Sequence, residues 1–282
     1  MNWIKNNRVK LRTKRTFLKQ GTCSRTFFHI LNREYGHPKP LEENAADPLA
    51  GGIVQMGYQC GMLWGAAMGV GAEAYRRFDK RDKAIGMSIV ATQHILKSFK
   101  DFAKSDNCSE ITDTDWSKNF SILKYMIRGK MVTCFRLAGN WAPHAIQAAN
   151  DGLDSDQSGL PEQPISCASE VVKRLGGSDE EMAMVAGFAG GYGLSGNACG
   201  ALSAAIWMNT LARVRNNSYK YSLSDTEFEK ILKSFYEVTD YTMECSDICG
   251  QHFNSVTEHS EFVKKGGCSR LLDALTKSVY PK

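Results

Sequence analysis

Leu49-Ala-Gly-Gly-Ile-Val-Gln-Met-Gly-Tyr-Gln-Cys60-Gly-Met-Leu63 is written a second time in this chain, as Phe188-Ala-Gly-Gly-Tyr-Gly-Leu-Ser-Gly-Asn-Ala-Cys199-Gly-Ala-Leu202. A gapless alignment pairs Ala50 with Ala189, Gly51 with Gly190, Gly52 with Gly191, Gly57 with Gly196, Cys60 with Cys199, Gly61 with Gly200 and Leu63 with Leu202. The other cysteines keep the same register. Cys23 and Cys167 precede the two copies, each behind a hydroxyl residue, Thr22 or Ser166; Cys108 and Cys245 follow, and then Cys134 and Cys268. The intervals are 37, 48 and 26 residues in the first half and 32, 46 and 23 in the second. Duplication therefore accounts for every cysteine except Cys249, whose counterpart is Thr112.

A chain of 282 residues, 43% of them hydrophobic, can bury two cores of ordinary size or one large one. The duplication divides it into a basic N-terminal arm (1–20), a first helical repeat (21–150), an acidic Gly/Ser/Pro-containing linker (151–164) and a second helical repeat (165–282). The first 33 residues carry nine Lys or Arg and no acidic residue, so the formal charge of +5 belongs to the leader and the rest is mildly acidic. That leader has no long apolar run and is not a secretory signal; it reads as a solvated basic arm or a first helix, and nucleic-acid binding is not expected. Without an export signal the expected setting is cytoplasmic. Nine cysteines there point to thiol chemistry or metal binding, not to a disulfide framework.

Apolar periodicity predicts helices throughout. In the first half Thr22 caps a helix with Phe27, Phe28, Ile30, Leu31 and Tyr35, ending at Gly36; another starts near Gly57 and runs through Trp64 and Met68 to Phe78. Further helices are predicted over 85–103, 120–131 and from Cys134 to about Asn150, with Cys108 in a polar loop. In the second half Ser166 caps a helix ending at Gly176 and Gly177, and Asp179-Glu180-Glu181 opens the next. Residues 225–243 are helical, and Gly266-Gly267-Cys268 begins the last. No segment alternates at period two, so the expected class is all-α, with two similar helical-bundle halves packed together.

The stretch from Pro48 to Ala72 lacks charge, and Gly57, Gly61, Gly65 and Gly69 fall four apart, as in helices that pack closely in lipid. Gln55, Tyr58 and Gln59 interrupt it. A helix buried in a bundle is the simpler reading, and no transmembrane span is expected.

Most of the cysteines fall in the first turn of a predicted helix. Free N–H groups and the positive dipole end there stabilise anionic sulfur, so several such ends converging would form a pocket for thiolates or for a metal–sulfur centre. The patch glycines Gly57, Gly61, Gly196 and Gly200 are candidate cofactor contacts, because glycine lets backbone approach a bulky inorganic group; tight helix packing would use them equally well. No P-loop, Ser/His/Asp arrangement or Cys-x-x-Cys-His is present. His252 and His259, lying between Cys245 and Cys268, are the histidines best placed to orient a ligand.

Gly196-Asn-Ala-Cys199-Gly200-Ala201-Leu-Ser-Ala204, preceded by Cys167 and followed by Cys245 and Cys268, resembles the C_GCAxxG_C_C family of redox-active proteins, over most of the second half. The first half is similar but more diverged, with Met62 for Ala201 and Trp64 for Ser203, and Ala204 departs from the closing glycine of the patch. The resemblance, together with the related domain of split-Soret cytochromes, implies an electron-transfer protein with an iron–sulfur cluster (2Fe-2S or 4Fe-4S) in each repeat. Its ligands would be Cys23, Cys60, Cys108 and Cys134 in the first and Cys167, Cys199, Cys245 and Cys268 in the second, with Cys249 able to compete with Cys245. The partner would be an unidentified redox protein, or a further copy of the chain in a homo-oligomer. Two rivals stay open: a thiol oxidoreductase using a low-pKa cysteine such as Cys199, and a structural zinc protein, whose ligands usually come in closer pairs.

Overall fold

The computed structural model describes residues 3–116, 118, 120, 121, 125, 127, 129–222 and 224–279. The helices among them are α1 (Trp3–Gln20), α2 (Cys23–Glu34), α3 (Pro40–Ala45), α4 (Gly61–Arg77), α5 (Arg81–Ala103), α6 (Cys108–Thr112) and α7 (Met131–Leu153) in the first half. The second half contributes α8 (Cys167–Arg174), α9 (Asp179–Ala186), α10 (Gly200–Arg215), α11 (Thr226–Val238), α12 (Cys245–Cys249), α13 (Val256–Lys264) and α14 (Ser269–Ser278). A 3-10 turn covers Asp47–Leu49. No strand occurs among the described residues, and the fold is all-α with an internal duplication.

Glycine decides how closely these helices meet. A methyl group on Gly65 would come 2.0 Å from the Ser24 carbonyl oxygen, and one on Gly69 would come 2.6 Å from Leu31 Cβ. Gly61, Gly65 and Gly69 of the stripe thus form the seam between α4 and α2, and Gly57 lies outside it. On another side of α4, Gly71 admits the Ala183 carbonyl of α9, which a methyl would approach to 2.2 Å. α4 is buried from Gly61 to Ala74 within the bundle. Among the described residues no helix is long and apolar enough to cross a membrane.

The halves clasp each other reciprocally. α9 of the second repeat packs on α4, and α3, its counterpart in register, packs on α10. Trp64 meets Phe188 and Tyr192 edge-on at 4.8 and 5.2 Å between centroids, and the Tyr192 hydroxyl donates to the Leu63 carbonyl at 2.7 Å. Trp207 Nε1 donates to the Glu42 carbonyl at 3.3 Å. Aromatic edge contacts of this kind add about 1 kcal/mol each beyond burial. The apolar residues of both halves form one continuous core.

The basic leader is a helix, not a free arm: α1 lies on α7 and α2, burying Val9, Thr13 and Phe17, with Phe17 against Phe135 at 4.5 Å. The expected linker begins inside α7, which continues to Leu153. The helix expected from Gly57 starts at Gly61, because residues 51–55 turn with the opposite hand. The one expected over 225–243 stops at Val238, ahead of Asp240 and Tyr241 at positive φ. Cys108 opens α6 instead of lying in a loop, and α13 had no expected counterpart. The helix expected over 120–131 falls largely outside the described residues.

Two buried ionisable groups make the fold acid-sensitive. Burial drives the His259 pKa down to about 4, with Nδ1 bonded to the Ile165 carbonyl at 3.1 Å. Burial of Glu43 opposes its charge, but hydrogen bonds from His29, Asn32 and the Lys39 N–H outweigh it and hold the carboxyl at about 2. Both folded pKa values lie below those of the unfolded chain, so the unfolded state binds the proton first. The stabilisation is complete above the unfolded pKa and is lost as pH falls to the folded one. Stability should therefore drop between pH 6.5 and 4 through His259, by about 2 kcal/mol at pH 5, and again towards pH 2 through Glu43. Urea midpoints at pH 7 and pH 5 check this, and His259→Gln should flatten the difference.

Candidate functional site

The duplicated stretch folds the same way twice. Gly51, Gly52, Ile53, Val54 and Gln55 have φ of 68°, 77°, 63°, 47° and 60°, and Gly190, Gly191, Tyr192, Gly193 and Leu194 have 60°, 76°, 72°, 58° and 65°. Each run is a left-handed turn, which costs a residue with Cβ roughly 1–2 kcal/mol. Surrounding contacts hold it: the Gly57 N–H donates to the Gly51 carbonyl and Gly196 to Gly190, both at 2.9 Å. A methyl on Gly52 would lie 2.3 Å from Tyr58 N, and one on Gly191 2.3 Å from the Asn197 oxygen, so the chain crosses itself where only glycine fits.

That crossing delivers the second cysteine to the third. In the first half the Cys60 N–H donates to the Asp106 carbonyl at 2.7 Å and the Cys108 N–H to Tyr58 at 2.6 Å. In the second, Cys199 donates to Met243 at 3.0 Å and Cys245 to Asn197 at 2.7 Å. Gln59 and Asn107, like Ala198 and Glu244, form matching isolated bridges. The first cysteine arrives on the helix packed against the patch helix, α2 or α8, and the fourth on α7 or at the start of α14.

In the first half Cys23, Cys60, Cys108 and Cys134 line one cavity of about 320 Å³. Its wall is mostly apolar, with Phe17, Met62, Trp116 and Met131, and Tyr219 and Tyr221 reach it from the second repeat. Cys23 and Cys60 hydrogen-bond to each other, and Tyr125 Oη lies 3.4 Å from Cys134 Sγ. Trp116 lines the cavity, and its buried Nε1 has no hydrogen-bond partner among the described residues. Of the candidate glycines, Gly61 serves this site: a methyl there would stand 2.6 Å from Cys23 Sγ. Gly57 makes room for Ser109 and Trp116.

The second half gathers five thiols. Cys249 Sγ lies 3.8 Å from Cys245 Sγ and 3.8 Å from Cys268 Sγ, while Cys167 and Cys199 are close enough to shift the titration of the others. The cysteine without a counterpart thus sits inside the cluster; Thr112, in its place, bonds the Cys108 carbonyl and lines the first cavity. Gly200 and Gly196 abut protein, the Phe188 carbonyl at 1.9 Å and the His252 ring at 2.6 Å from a notional methyl, so both serve packing. His259 faces Phe253 and the Ile165 carbonyl.

Cys23, Cys108, Cys167 and Cys245 are the first residues of their helices, and Cys60, Cys199 and Cys268 are N-caps; Cys134 is the fourth residue of α7. The helix ends do not offset burial for most of them. Burial raises Cys108 and Cys199, and holds Cys134 at about 11 and Cys167 at about 12. Cys60 is raised by its bond to Cys23 and by burial, and Cys249 and Cys268 by their contacts with neighbouring thiols. Cys23 is lowered, by hydrogen bonds from Cys60 and from the Gly51 and Ser24 amides. The reading of Cys199 as a low-pKa nucleophile is therefore corrected: it is buried and raised, and the acidic thiol is Cys23.

Among the described residues no group of three or more His, Cys, Asp or Glu side chains is placed to hold a metal ion. Thiols that resist ionisation through burial and mutual repulsion form a donor set that bound cations would relieve.

The family model described as "Putative redox-active protein (C_GCAxxG_C_C)" matches this chain twice, over residues 22–146 and 165–280. The chain belongs to that family as a tandem duplication, and its general role is a redox one. No curated protein and no solved structure matches it.

Proposed function

We propose that the chain is an electron carrier with one iron–sulfur cluster in each repeat, held by Cys23, Cys60, Cys108 and Cys134 in the first and by Cys167, Cys199, Cys245 and Cys268 in the second. The observation that carries this is the convergence in each half of four cysteines, far apart in sequence, from four separate helix starts. Such a cluster supplies one-electron chemistry at a potential set by its burial and by hydrogen bonds to its sulfurs. Here the Gly51 and Ser24 amides at Cys23, the Gly190 and Ala168 amides at Cys167, and the Tyr125 hydroxyl at Cys134 would stabilise negative charge.

The contact between the halves supports passage from one centre to the other. Gly190 and Gly191 lie against Cys167 and Cys245, and the next residue, Tyr192, reaches across to α4, where its charge would be felt by Cys60. Protein isolated without oxygen should be brown, bleach with dithionite and regain its colour on reoxidation. A colourless product would end the proposal.

A further inference from the structure

Cys249 is the thiol that the family motif does not use and the duplication does not supply, yet it touches two others. Its contact with Cys245 joins positions four apart in one helical turn, where Cβ atoms stand about 5–6 Å apart, beyond the roughly 3.5–4.5 Å that a disulfide needs. Its contact with Cys268 is different. Cys249 ends α12 before the left-handed Gly250, and Cys268 follows Gly266 and Gly267 in an exposed turn, so the backbone on both sides can adjust. The two sulfurs lie 3.8 Å apart, and both residues are half-buried, whereas Cys167, Cys199 and Cys245 are buried. Exposed Lys264, Lys265 and Arg270 flank the Cys268 turn in sequence, Lys265 paired with Glu261 at 3.2 Å, and their charge would favour an anionic reactant.

We propose that Cys249 and Cys268 form a reversible disulfide by exchange with a small anionic disulfide of the glutathione type. The Cys268 sulfur attacks one sulfur of the small disulfide, making a mixed disulfide, and its proton passes to the small thiolate that leaves. Cys249 then attacks the Cys268 sulfur, closes the protein disulfide and releases the second small thiol. Two protein thiols are oxidised and one small disulfide is reduced to two thiols. The bond removes Cys268 from the second half's donor set. The first half cannot follow, since Thr112 stands where Cys249 would be. The exchange competes with metal ligation at Cys268 and does not require that either half hold a cluster.

The test is incubation of the full-length chain with glutathione disulfide, alkylation of the remaining thiols and non-reducing peptide mapping, with iron measured in the same samples. The expected product is a Cys249–Cys268 linked peptide, reversed by dithiothreitol, with one pair of thiols lost from the nine. Cys249→Ser should leave a glutathione adduct on Cys268 and no link, its helicity by circular dichroism unchanged. Absence of the link in the native chain, or a link chiefly between Cys245 and Cys249, would overturn the proposal. Because iron is read separately, either outcome leaves the electron-carrier reading to stand or fall by itself.

Discussion

Cys60→Ser is expected to lower the iron of the anaerobically purified chain to about half, and Cys199→Ser to do the same by removing the other half's centre. Each cysteine donates its backbone N–H to the residue two before the third cysteine of its own half, Asp106 or Met243, and no thiol of one half contacts a thiol of the other through a hydrogen bond between described residues. Serine suits the helix N-cap that both residues occupy, so α4 and α10 should keep their starts while the soft sulfur ligand is lost. Iron and the visible spectrum of each single variant check this. If either substitution removes all the iron, the chain holds one shared centre and the two-centre account is wrong.

The largest effect on stability is expected from Gly200→Ala. The added methyl would stand 1.9 Å from the Phe188 carbonyl oxygen and 2.6 Å from its carbon, and these are backbone atoms of the turn that presents the cysteine patch. Neither α10 nor the Phe188 segment can yield without opening the contact of Phe188 with Trp64 across the halves. A loss of more than about 4 kcal/mol follows, large enough to leave little folded protein. Gly159→Ala is the control: nothing lies within 4 Å of its added methyl and its φ is not positive, so it should shift stability by less than about 0.5 kcal/mol. Urea denaturation of the two variants decides the matter.

Much of this was legible from residue order because the chain repeats itself. Cys23 with Cys167, and Cys60 with Cys199, could be paired by eye, and the pairing carried the two halves and the gathering of thiols in each, while apolar periodicity without period-two alternation carried the all-α reading. The left-handed turns were only half legible: Gly51, Gly52, Gly190 and Gly191 announce positive φ, but Ile53, Val54, Tyr192 and Leu194 adopt it against their own preference, held by hydrogen bonds within the turn such as Val54 N–H to the Pro48 carbonyl and, at Tyr192, by the bond to Leu63. The same reason hid the start of α4 at Gly61. The thiol pKa order was not legible, since a helix start suggests acidity and burial reverses it at Cys199. The glycine stripe was legible as a seam buried in a bundle, but its partners on α2, Ser24 and Leu31, were not. Trp116 and Tyr125 gave no signal in the sequence; they matter because the fold sets them on the cavity wall.

The most direct test of the account is the iron, acid-labile sulfide and zinc content of the intact chain, purified without oxygen. Iron and sulfide in near-equal amounts with little zinc are predicted, as both cluster types contain them one to one. Stoichiometric zinc, or iron without sulfide, would contradict it.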